Sequence, residues 1–284
     1  MSRASSWILI VVLLAACKGD TPALDLSDIR QIQPKVLRPV TLRKFTPPAT
    51  PPPTGLNVLV PLKRGRASRV SDILFDSGVL SAIARDINSV VRFPRSVNVS
   101  VYRCGFENAM YDPDKALITL CEELVERFAE LFADIPDDAV YRDVVIGASV
   151  FVFLHEIGHA LIGELGIHNI GNGENVADHL ATVLLIGSWA EDYALHGAES
   201  FLRMAEWRAR TGQPVPFWDE HGPDESRFFE ILCLVYGSNT ERYGFLLAEQ
   251  WLPWDRAQVC PSRWREQAAA VQAQLAPHAQ PASP

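Results

Sequence analysis

The stretch "FLHEIGHALIGELGIHNIGNGENVADHLA", residues 153–181, decides how the rest of the chain is read. His155 and His159 stand at i and i+4, which on a helix puts both imidazoles on one face, about one turn apart. Two ring nitrogens so placed suit two corners of a tetrahedral zinc ion. Glu156 lies beside them, able to reach a water on the metal without itself ligating the ion. Gly163 and Gly166 close this helix, and "GIHNIGNG" makes a short loop. A short connection makes the next helix an antiparallel neighbour. On it Glu174 and Asp178 again share one face at i and i+4. Glu174 is therefore the expected third ligand. Asp178 is expected to accept the free N–H of a ligating histidine, fixing its tautomer. Three protein ligands leave one zinc position for water, the mark of a catalytic site. Zinc would acidify that water while Glu156, as general base, takes its proton and later delivers it to the leaving amine. His168, in the loop between the helices, is a weaker candidate ligand because a loop histidine there faces solvent. His179 points off the Glu174 face and is expected to pack.

These residues resemble a family. HExxH followed by ExxxD on the next helix is the arrangement of the gluzincin metallopeptidases. More closely, the chain is similar to a bacterial metallopeptidase family catalogued as a domain of unknown function. The similarity runs over most of 95–262 and includes "CGFENAMYDPDKALITLCEEL", "HEIGHALI", "GENVADHLATVLL", "WDEHGPDESRFFEILCLVYGS" and "LPWDRAQVCP". In that family the glutamate is often doubled, whereas here Gly173 precedes a single Glu174. The resemblance implies an α+β, mostly helical, zincin-like fold with a small sheet beside the HExxH helix. It also implies an oxyanion donor from a downstream segment, where His221, Tyr236 and Arg227 are available; His221 is preferred, then Tyr236. In zincins an edge strand over the active helix pairs with extended substrate; 116–120, "ALITL", is the strand that would do so, or else an ordinary interior strand.

The N-terminus sets the expected compartment. Arg3 precedes an apolar run from Trp7 to Ala16, the length of a signal-peptide core and too short to span a bilayer. It ends in "LAAC", which resembles the bacterial lipobox, so residues 1–16 read as a lipoprotein signal peptide and Cys17 as the lipidated residue. Lipidation would also remove the odd one of five cysteines. Of the four that remain, Cys104 with Cys121 and Cys233 with Cys260 would each close a short local loop, and these disulfides are the expected ones in an oxidising compartment. Residues 34–53 hold seven prolines and cannot support a helix or a central strand. The span 17–54 therefore reads as a tether holding a metallopeptidase domain, 55–267, off a membrane. The Ala-, Gln- and Pro-rich end, 268–284, reads as a flexible tail.

About 210 residues suffice for one domain with a real core. A net charge of -8 with no long basic patch argues against a nucleic-acid surface. The apolar run Val144–Leu154 is stopped by His155 and Glu156, and reads as a buried core helix. Further elements are expected as a helix near 68–91, a strand at 97–102, a turn at "YDPDK", and helices at 121–133 and 139–165. The C-terminal half should be helical, with a loop near 211–223. The expected activity is a lipid-anchored zinc peptidase of the bacterial cell envelope acting on proteins or peptides. Two readings compete with it: an envelope lipoprotein that binds without turnover, and a structural lipoprotein whose HExxH is incidental.

Overall fold

The structure, a computed structural model, describes residues 54–59, 69–167, 173–213 and 224–280. The signal segment, Cys17 and the tether up to 53 lie outside the described residues, as do His168, Phe217, Trp218 and His221.

The chain is α+β and mostly helical, with one four-stranded mixed sheet. Strand β1, Gly55–Val58, leads through α1, Arg69–Ser77, and α2, Val79–Val90, to β2, Ser96–Tyr102, which pairs parallel with β1. Strand β3, Ala109–Asp112, turns back into β4, Leu117–Cys121, and the two pair antiparallel. β4 also pairs parallel with β2, so the order across the sheet is β1-β2-β4-β3. Two expectations change here. The helix expected over 68–91 is two helices, broken at Gly78, whose φ of 67° favours a residue without a Cβ. And 116–120 is not an edge: β4 lies inside the sheet, with Ile118, Thr119 and Leu120 all buried. The edge next to the long helix is β3, whose last two residues fall in the segment expected as a turn, "YDPDK".

After β4 come α3, Glu122–Leu131, and α4, Asp138–Leu165. The Asp137 carboxylate caps α4 by accepting from the Ala139 and Val140 amides at 2.9 and 3.0 Å, satisfying donors that have no partner inside the helix. α4 is long and apolar enough to cross a membrane, with a window of mean hydropathy 1.7, but 83% of that window is buried inside the protein. It is the core helix of the domain. Around it lie α5, Gly173–Leu185, and α6, Tyr193–Thr211, with α7, Asp224–Ser238, packed on both. β3 rests on α4 as well: the Tyr111 hydroxyl and the Arg95 guanidinium both bind Glu164, near the end of α4.

Both expected disulfides are present. Cys104–Cys121 fastens the segment after β2 to the end of β4, and Cys233–Cys260 joins α7 to α10, Cys260–Leu275. Two short helices, α8, Phe245–Ala248, and α9, Trp254–Ala257, fill the connection between them. The flexible tail expected over 268–284 is helix as far as Leu275. α10 runs on to Leu275 with Val271 buried, and Ala279 bridges Val91 while Gln280 N–H donates to the Val90 carbonyl at 3.0 Å. Ala and Gln are good helix formers, and this run of them had an apolar residue to bury.

Candidate metal centre

Three side chains from two helices converge. His155 and His159 on α4 and Glu174 on α5 form a group whose donor atoms lie within 4.8 Å of one another. The His155 and His159 Nε2 atoms are 3.0 Å apart; His155 Nε2 is 3.1 Å from Glu174 Oε2, and His159 Nε2 is 3.2 Å from Glu174 Oε1. Donors on a tetrahedral zinc at its usual bond lengths stand about 3.3 Å apart. The three are therefore spaced as one ion would need them, and two imidazoles with one carboxylate are a zinc donor set. A second group, Cys104, Cys121 and Glu123, has its sulfurs committed to the disulfide.

The triad sits where it does because α4 and α5 approach closely at Gly158. A Cβ built there would lie 2.9 Å from the Ala177 Cα, a backbone atom that cannot swing aside. Gly158→Ala is thus expected to push α5 outward, carrying Glu174 and Asp178 with it. Overpacking of this kind costs ~1–3 kcal/mol of stability. A thermal melt beside a metal titration checks it: both stability and metal affinity should fall.

Behind the triad lies a buried charge chain. His155 Nδ1 meets Asp178 Oδ1 at 2.8 Å, which turns the Nε2 edge of the ring toward His159 and Glu174. Arg227, on α7, grips both oxygens of Asp178, with Nε to Oδ2 at 2.8 Å and Nη2 to Oδ1 at 2.7 Å. Its guanidinium also lies over the Phe201 ring, 4.0 Å from the centroid. Burial pushes the Asp178 carboxyl up, but Arg227 and His155 outweigh it and hold the group well below the usual carboxylate range. Burial pulls His155 down, but hydrogen bonds to Asp178 and Glu174 win and carry its pKa up to about 9. The carboxylates that favour a proton on this ring would equally favour a cation, so metal uptake there displaces protons.

His159 is the outer member of the triad, its side chain 24% exposed against 2% for His155. His155 and Glu156 line a cleft of about 550 Å³ between α3, α6, α7 and the segment 105–109. Glu156 is buried, next in sequence to His155, and lines the cleft with it.

The chain from residue 60 to 275 matches the model of a family described as "putative metallopeptidase". The chain belongs to that family. No curated protein and no solved structure matches it. Membership of that family supports a peptidase that uses a metal ion, and His155, His159 and Glu174 are a group that could hold such an ion.

Other expected site residues fare differently. Tyr236 does not line the cleft: it is nine positions past Arg227 on α7, which at 3.6 residues per turn puts it on the opposite side of that helix. Arg227 lines the cleft wall, but its hydrogen bonds go to Asp178, so its role is to position that carboxylate. His179 is driven down by burial and faces Glu230, Arg263 and Gln267, on the far side of α5 from the triad. The reading of the sequence missed the α6 wall of the cleft, Phe201, Met204 and Trp207. Their apolar spacing looks like any core helix face, and only the tertiary fold opens it to a cleft.

Proposed function

We propose that the protein is a zinc-dependent peptidase of the gluzincin type, anchored through a lipid on Cys17 in the bacterial cell envelope. The observation that carries this is the triad of donors 3.0–3.2 Å apart with Glu156 beside it in the cleft wall. Held by His155, His159 and Glu174, a zinc ion supplies a Lewis acid that polarises a carbonyl and acidifies water. The chain's own groups do the rest. Glu156 accepts the proton of the attacking water on its carboxylate and passes it to the departing amine nitrogen. Asp178, itself held by Arg227, keeps the His155 ring in one orientation and tautomer. His221, assigned from the sequence as donor to the developing oxyanion, belongs to this proposal on its position in the motif-bearing segment.

Substrate alignment follows from the edge strand. β3 lies at the rim of the sheet and against α4, and its backbone can add an extended peptide as a further strand. This takes over the part expected of 116–120. The anchor rests on the "LAAC" that ends the N-terminal apolar run, with Cys17 as the residue acylated.

The test uses the full chain, expressed in a bacterium and supplied with zinc. It should cleave an unfolded protein substrate, stop when a chelator strips the metal, and resume on zinc addition. In the same cells the protein should sediment with membranes, and Cys17→Ser should release it. Cleavage that persists without metal would contradict the mechanism. Zinc uptake with no cleavage of any peptide would favour the binding lipoprotein instead.

A further inference from the structure

We propose that Phe106 is a specificity-determining residue, selecting peptides that place a bulky apolar side chain in the cleft beside Glu156; the inference rests on the peptidase reading above. Single exposed apolar residues are ordinary on protein surfaces. Phe106 differs in two respects. Among the described residues it is the one large apolar side chain that is both exposed, at 54%, and part of the cleft lining. And the segment presenting it is fastened on every side.

Cys104 is tied to Cys121 by the disulfide, and the amides of Cys104 and Gly105 donate to the two Glu123 oxygens at 3.0 and 2.9 Å. Glu107 accepts from Arg127 Nε at 3.0 Å, and the Asn108 carbonyl accepts from the Cys121 amide at 3.0 Å. A segment so held fixes the backbone from which the phenyl ring projects before any ligand arrives. Fixing a contact in advance removes the ordering cost from binding. Phe201 and Met204 of α6 and Val152 of α4, all buried, line the same cleft, and Glu156 follows Val152 by about one helical turn. Phe106, Phe201 and Met204 give the cleft an apolar surface beside the charged Arg127, Arg208 and Glu107 of the same lining, and that surface, in a cleft that also holds Glu156, suits an aliphatic or aromatic side chain next to the bond that is cut. Phe106 is 54% exposed, and a peptide side chain would bury that surface.

The experiment measures binding of fluorescent peptides to the full-length, zinc-loaded Glu156→Gln protein, which should hold substrate without turning it over. The peptides are identical except for one position carrying Leu, Phe, Ala, Ser or Asp in turn. The Leu and Phe peptides should bind at least about tenfold tighter than the Ala peptide, the scale at which an apolar pocket discriminates. Phe106→Ala should erase that preference while leaving the melting temperature and the zinc content as they were, and Phe106→Leu should keep most of it. A protein with no preference for Leu or Phe, or a preference that survives Phe106→Ala, would overturn the proposal. The peptidase reading fails separately, if the protein with Glu156 intact cuts none of the peptides that the Gln variant binds.

Discussion

Exchange of Glu156 for glutamine is expected to lower kcat on a cleaved peptide by about 10²–10⁴-fold, the range that one positioned acid–base group contributes. Metal content should stay as in the parent. Glu156 is not one of the three converging donors, so the ion's site survives the change. Glutamine has nearly the shape of glutamate and keeps its hydrogen-bonding capacity, but it cannot take up a proton. Loss of turnover with metal retained would therefore isolate proton transfer from binding. Steady-state kinetics beside elemental analysis reads both quantities. A variant that keeps most of its activity would remove Glu156 from the mechanism.

Arg227→Met should be the most damaging single change behind the site. Asp178 is 3% exposed and Arg227 is 8% exposed, so removing the guanidinium strands a buried carboxylate whose other side-chain partner among the described residues is His155. Breaking a buried pair by deleting one partner costs about 3–5 kcal/mol, because the remaining charge has lost its compensation. The same change frees the Asp178 carboxylate that orients His155, and losing such an outer partner typically costs 10–100-fold in metal affinity. Denaturant unfolding and a zinc titration give the two numbers. The double variant with Asp178→Asn should regain a large part of the lost stability, since the stranded charge is then gone, but should not regain the metal affinity. If Arg227→Met alone is neutral in both, the charge chain is not what holds the site.

Much of the site was legible because it is written in helical spacing. His155, His159, Glu174 and Asp178 fall at i and i+4 on two adjacent helices, and a period of 3.6 fixes which side chains share a face. The local disulfides were legible for a similar reason: each joins cysteines close in sequence. What failed was long-range. Arg227 reaches Asp178 across 49 positions of sequence, and no spacing rule connects a residue on α7 to one on α5. β3 is four residues, "AMYD", with one apolar alternation at most, too short for a period-two signal to appear. β4 failed in the other direction. An apolar run at 116–120 fits either an edge strand over the active helix or an interior strand, and only the order of the sheet shows that it is interior. Both errors come from sheet order, which depends on partners outside the segment itself.

The measurement that bears most directly on the central claim is the metal content of the purified full-length protein after incubation with zinc and removal of loosely held ions, alongside Glu174→Ala and His155→Ala. The account predicts about one zinc per parent chain, as for a site of three protein ligands, and a loss of that ion in each variant while the fold is kept. A parent chain that binds no metal, or variants that bind as the parent does, would show that His155, His159 and Glu174 converge for some other reason.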